Sequence, residues 1–120
     1  MLANKTANLS NRKNVRDFIF IKDVISAYES VLKNYNKIEN GEVFNIGYGT
    51  QFSIEDVARI VGARVKWTQS RRPKERGRIW QADISKIKKS IGWHPKYRLS
   101  DGIQETKKWM VGNIKFYEDT

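Results

Sequence analysis

Apolar residues change their spacing several times along the 120-residue chain, and each change predicts an element. Residues 15–21 (V-R-D-F-I-F-I) are β-branched and aromatic, the pattern of a strand. From 23 to 35 the spacing turns helical, with Val24, Tyr28, Val31, Leu32 and Tyr35 on one face. Asn40-Gly41 breaks the chain before a second expected strand at 42–46, and Gly47-Tyr48-Gly49-Thr50 forms a tight turn. Ser53 is placed to cap a helix over 54–61, with Asp56 completing a variant capping box. A short strand is expected at 63–67 and a brief one at 79–82. Asp83 then opens a helix over 84–91, whose Ile84, Ile87 and Ile91 share a face and whose end falls at Gly92. Pro95 forbids its continuation. A last helix starts at Ser100, with Ile103, Thr106, Met110, Ile114 and Tyr117 on one side and a weak point at Gly112. Residues 1–14 are polar, hold four Asn and show no apolar period, so they read as an irregular arm before a single unit at 15–120. The pattern is α+β, with short strands and about four helices.

Composition narrows the chemistry. Four Trp, five Tyr and five Phe supply material for a core. With no Cys there is no disulfide and no thiolate metal site, which agrees with a reducing cytoplasm. One histidine, His94, stands directly before Pro95 and reads as a turn residue. One His without Cys builds neither a typical zinc site nor a Ser-His-Asp triad, so no metal is expected. No apolar run approaches the roughly 20 residues of a membrane span, so no membrane partner is expected.

The net charge of +10 arises from 23 basic and 13 acidic residues. Arg64, Lys66, Arg71, Arg72, Lys74, Arg76 and Arg78 concentrate it between positions 64 and 78. Such a run belongs in a solvated loop, because unpaired buried cations cost several kcal/mol each. Arginine forks match phosphate oxygens in pairs, so the run suits a compact diphosphate at least as well as a long polyanion. Aromatics are not interleaved with it as stacking platforms for nucleic acid would be.

Known catalytic signatures are missing. Gly47-Tyr48-Gly49 has Phe52 where a dinucleotide fingerprint needs its third glycine, and no Gly-Lys-Ser/Thr follows. No tyrosine has lysine four residues on. The carboxylate pairs Glu55-Asp56 and Glu118-Asp119 read as helix-start and tail charges, so no catalytic residue is assigned.

Three separated segments share one resemblance. Arg16-Asp17-Phe18-Ile19-Phe20-Ile21-Lys22-Asp23-Val24 resembles the R-D-F-I-x-V-x-D-V segment of NAD-dependent sugar-nucleotide epimerases and dehydratases, members of the extended short-chain dehydrogenase/reductase family. Val43-Phe44-Asn45-Ile46-Gly47-Tyr48-Gly49-Thr50 with Ser53-Ile54 is similar to that family's V-Y-N-I-G-x-G-x…S-I. Arg72-Pro73-x-Glu75, Ala82-Asp83-x-Ser85-Lys86, Gly92-Trp93-x-Pro95 and Gly102-Ile103…Trp109 resemble its R-P-G-D…A-D-x-S-K…G-W-x-P…G-L…W tail. The order and spacing hold from about residue 15 to 110.

The resemblance implies the small substrate-binding lobe of such an enzyme, its Rossmann NAD domain absent from this sequence. The chain would then be an expressed piece, a truncated gene product or a split subunit, cytoplasmic and catalytically inert alone. It would bind no cofactor itself, with NAD held in the complete enzyme. Expected partners are a nucleotide-diphosphate sugar, a missing or separate Rossmann domain, and further copies of the chain. The family's diphosphate contacts map onto Arg16 and Arg72. Its ribose contact maps onto Glu75, where this chain has Glu for Asp and Lys74 for Gly, and Asn45 borders the same site. From the residues alone, Arg16 also reads as a strand-edge pair with Asp17 or Asp23. Trp93 and Trp109 are expected as apolar anchors tying the Gly-Trp-x-Pro turn to the last helix, while Trp67 and Trp80 fix the ends of the basic loop or line a pocket. The competing classes are a small basic nucleic-acid-binding protein and a ligand-free interaction module.

Overall fold

The computed structural model of the chain describes residues 6–69 and 79–117. Element order is β1 (Ala7–Ser10), β2 (Val15–Asp17), α1 (Ile21–Lys33), β3 (Gln51–Ser53), α2 (Ile54–Val61), β4 (Val65–Thr68), α3 (Ser85–Ile91) and α4 (Leu99–Gly112). Short 3-10 turns follow α1 at Tyr35–Lys37 and α4 at Ile114–Tyr117. The strands form two small sheets: β1 pairs with β4 in parallel, and β2 with β3 antiparallel, Arg16 opposite Phe52.

Local chemistry explains several boundaries. The Ser53 hydroxyl accepts from the Asp56 amide at 3.0 Å while the Asp56 carboxylate accepts from the Ser53 amide at 3.3 Å, a complete capping box for α2. Gly62 and Gly92 end α2 and α3 in the left-handed conformation, with φ of 70° and 73°. The Asp83 carboxylate accepts from the Ser85 amide at 2.9 Å at the start of α3, and hydrogen bonding from the Ser85 side chain and then its amide holds the Asp83 carboxyl below the usual carboxylate range.

The core is thin. Ala27, Ile87 and Trp93 form its buried centre, with Ile19, Phe44, Ile46, Ile84 and Ile91 packed around them. The Trp93 indole N–H donates to the Ser26 hydroxyl at 2.9 Å, tying the turn after α3 to α1. Asp23, only 1% exposed, accepts from the backbone amides of Lys96 at 2.9 Å and Tyr97 at 3.1 Å. That carboxylate anchors the chain after Pro95 to the first turn of α1. Gly102 lets α4 settle on Phe20, since a Cβ there would lie 2.8 Å from the Phe20 Cβ.

Several expectations are corrected. The supposed irregular arm at 1–14 contributes β1, whose partner lies more than fifty residues away and leaves no local period to read. The strand expected at 15–21 stops at Asp17, and α1 begins at Ile21. Residues 42–46 and 79–82 form no ladder among the described residues, although Phe44 and Ile46 pack on the core. Trp93 is the expected anchor, but to α1, and Trp109 is 53% exposed.

The outer face of α1 differs most from a folded monomer's surface. Ile21, Ile25, Tyr28 and Leu32, continued by Tyr35 in the following turn, recur at helical spacing and are each 51–73% exposed. The expected apolar face of this helix is therefore split, with Val24 and Val31 half-buried and Tyr28, Leu32 and Tyr35 outward. The radius of gyration is 17.4 Å, against about 14 Å for a compact domain of this length. The accessible surface is 9513 Å2, against about 6,700 Å2 for a folded monomer of 14.0 kDa.

Candidate functional site

The most chemically loaded cleft lies beside β2. It has a volume of about 320 Å3 and is lined, among the described residues, by Arg16, Asp17, Ile79, Trp80, Gln81 and Ala82. The Arg16 guanidinium stacks on Trp80, 4.9 Å from the ring centroid, and Nη1 donates to the Val15 carbonyl at 2.7 Å. Trp80 remains 45% exposed under the cation. A guanidinium fixed on an aromatic face keeps its orientation at low entropic cost, a suitable state for meeting an anion.

Three consecutive residues are tied to the β2–β3 side of the cleft. The Trp80 amide donates to Gln51 Oε1 at 3.3 Å, Gln81 Nε2 to the Gly49 carbonyl at 2.6 Å, and the Ala82 amide to Asp17 Oδ2 at 3.0 Å. Asp17 also accepts from the amides of Tyr48 at 2.7 Å and Gly49 at 3.0 Å. Gly47 must be glycine for this arrangement, because a Cβ would fall 2.5 Å from the Ala82 Cβ and 2.8 Å from Asp17 Oδ2.

These bonds settle what the glycine turn offers. A dinucleotide cradle presents backbone amides to phosphate. Here the Tyr48 and Gly49 amides point at Asp17, so the turn does not fit an NAD pyrophosphate. The turn is a structural joint. Among the described residues no group of three or more His, Cys, Asp or Glu is arranged to hold a metal ion, and no helix is long and apolar enough to cross a membrane.

Of the four residues singled out from sequence, Arg16 lines the cleft. Asn45 is exposed on the stretch before Gly47 and does not line it. Arg72, Glu75 and the rest of the basic run at 70–78 lie outside the described residues. Asp17 and Asp23, read as pairing partners for Arg16, accept backbone amides of distant segments. Trp80 joins the site, and its place next to the basic run was the available signal. Sequence reading missed Gln51, Gln81 and the role of Asp17, whose partners lie 29, 32 and up to 65 residues away.

A second cleft of about 530 Å3 is lined by Glu55, Asp56, Ala58, Arg59, Ala63, Val65 and Trp67. Arg12 lies over Trp67, 5.6 Å from the ring centroid, and pairs with Glu55, while Arg59 pairs with Asp56. Hydrogen bonding from Arg12 holds the Glu55 carboxyl below its ordinary range, and bonding from Ser53 does so for Asp56. These are exposed, mutually neutralised charges at the start of α2.

The family model described as GDP-mannose 4,6 dehydratase matches residues 1–106. The CDP-paratose 2-epimerase of Salmonella typhi is 34% identical over 114 residues, covering 88% of this chain and 33% of that protein. The UDP-glucose 4-epimerase of Lactobacillus helveticus is 31% identical over 111 residues, covering 88% and 34%. In structure, the UDP-glucose 4-epimerase of Stenotrophomonas maltophila, solved with bound NAD and formylated UDP-arabinopyranose, superposes with a TM-score of 0.74 at 24% identity, over 92% of this chain and 36% of that one. The chain thus spans about a third of the length of the curated relatives it matches. These relatives do not favour the nucleic-acid-binding alternative.

Proposed function

Because the chain belongs to the NAD-dependent epimerase/dehydratase family, matching its GDP-mannose 4,6 dehydratase model, we propose that it recognises the diphosphate of a nucleotide sugar through the Arg16 cleft. The observation that carries this reading is the Arg16 guanidinium, held on Trp80 in a cleft beside the residues that follow the basic run. Arg72 is its partner on the diphosphate and Glu75 its contact to the ribose, both assigned by resemblance. Asn45 plays at most a bordering part. In the complete enzyme, an epimerase or a 4,6-dehydratase, NAD is held by the nucleotide-binding remainder, and this portion supplies substrate recognition rather than chemistry.

The same reading assigns an occupant to the outer face of α1. The relatives are three times longer, the surface exceeds that of a folded monomer, and the apolar stripe from Ile21 to Tyr35 has the period of a packing face. The nucleotide-binding remainder covers it. Without that cover the chain self-associates through the stripe, and a Leu32→Glu, Tyr35→Glu double variant sediments as a monomer.

Titration with UDP-, dTDP-, GDP- and CDP-sugars tests the central assignment. One of them binds saturably, and Arg16→Ala and Arg72→Ala each weaken it by about 1.5–3 kcal/mol, the scale of a hydrogen bond to a charged group. Equal losses at Arg72, Arg76 and Arg78 would replace the pocket with a diffuse basic surface.

A further inference from the structure

We propose that Asp17 is a positioning residue for this cleft: it fixes the segment that faces Arg16 and so sets the geometry in which the cleft meets a diphosphate. The inference rests on the reading of the cleft given above.

The carboxylate of Asp17 accepts three backbone amides from two separate stretches of chain, Tyr48 and Gly49 on one side and Ala82 on the other. A carboxylate has about four lone-pair sites, so three amide donors leave it little capacity for a ligand. Asp17 therefore does not act on substrate directly. Its bond to Ala82 sets the place of Trp80, two residues earlier, and Trp80 is the surface on which Arg16 stacks. Gln51 and Gln81 hold the same three residues from β3 and Gly49, so the stretch 80–82 is clamped along its length. Gly47 closes the joint, its missing Cβ leaving room for both Ala82 and Asp17 Oδ2. Trp80 is 45% exposed and stands outside the core cluster, so these backbone bonds hold the segment that carries it.

Two chemically different lesions open the joint. Asp17→Asn keeps the shape but replaces one acceptor oxygen with a donor, so at least one amide loses its partner. Gly47→Ala leaves every charge in place and pushes Ala82 away. Ser26→Ala is the control: it removes the Trp93 indole bond in the core and touches nothing in the cleft.

The first readout needs no ligand. In the 15N-labelled chain, Asp17→Asn and Gly47→Ala shift the Trp80 indole resonance, whereas Ser26→Ala leaves it unchanged. The second is titration with UDP, dTDP, GDP and CDP well below each variant's Tm. Both cleft variants weaken the bound nucleotide about tenfold or more, and Ser26→Ala keeps Kd within about twofold although its Tm falls. A Trp80 resonance at its wild-type position in both cleft variants overturns the proposal, as does a wild-type Kd in both. If the wild-type chain binds no nucleoside diphosphate, the reading of the cleft falls, and the Trp80 resonance alone decides whether Asp17 positions the segment.

Discussion

Asp17 and Asp23 are six residues apart and do the same thing in different surroundings. Each carboxylate accepts backbone amides from stretches far along the chain, Asp23 from Lys96 and Tyr97, Asp17 from Tyr48, Gly49 and Ala82. Asp23 is sealed from solvent beside Ala27, the buried centre of the core. Asp17 opens onto the cleft that holds Arg16 and Trp80. One device thus serves the buried core at one end of the segment and the proposed recognition cleft at the other. The lesson is that burial, rather than residue type or motif, separates the two roles.

Stability measurements should break the symmetry first at Asp23. Asp23→Ala orphans two amides, and at about 1–3 kcal/mol per unsatisfied buried group the expected loss is about 2–6 kcal/mol by chemical denaturation. Where the variant remains folded, its affinity for a nucleoside diphosphate should stay at the wild-type level. Gly102→Ala should cost about 1–3 kcal/mol, because the new methyl group overlaps Phe20 and α4 must shift. Ser26→Ala should cost about 1–2 kcal/mol by leaving the Trp93 indole N–H unpaired beside the core. A large loss of nucleotide affinity in any of these three would show that the core end and the cleft end are coupled.

The smallest expected effect is the pH dependence of stability. Glu55, Asp56, Asp83 and Asp101 all have folded-state pKa values lowered by hydrogen bonds, from Arg12, Ser53, Ser85 and Arg98 respectively. A lowered folded pKa adds stability that is fully present above the unfolded value, about 4, and is lost as pH falls through the folded value. Tm should therefore be flat from neutral pH down to about 5 and fall below about 4. Asp56→Asn should make that fall shallower, and added salt should shrink it, because these groups face solvent.

What could be read from the sequence was local. Ser53 and Asp56 announced their capping box, Gly92 its helix end, and Ile87 its inward face, because each depends on neighbours within a turn or two. The motif order from Arg16 to Trp109 also identified the family, since spacing along the chain survives without coordinates. Long-range bonds were not legible. Nothing in R-D-F-I-F-I-K-D tells that the first Asp reaches residue 82 and the second residue 97. The polar stretch at 7–10 shows no apolar period, so its pairing with the strand expected at 63–67 was not legible. Helical spacing marked Tyr28, Leu32 and Tyr35 as apolar positions, but spacing does not say what covers them, and here no described part of the chain does. Arg16 was found through its motif, whereas its stacking on Trp80 required the fold.

The most direct test of the central claim is a resonance-by-resonance map of the chain during titration with the nucleoside diphosphate that binds it. The account predicts shifts gathered at Arg16, Asp17 and residues 79–82, with Lys96, Tyr97 and the Trp93 indole unmoved. Shifts spread evenly over the lysines and arginines of the surface, or centred on the Lys96–Tyr97 end with the Arg16 cleft silent, would contradict it.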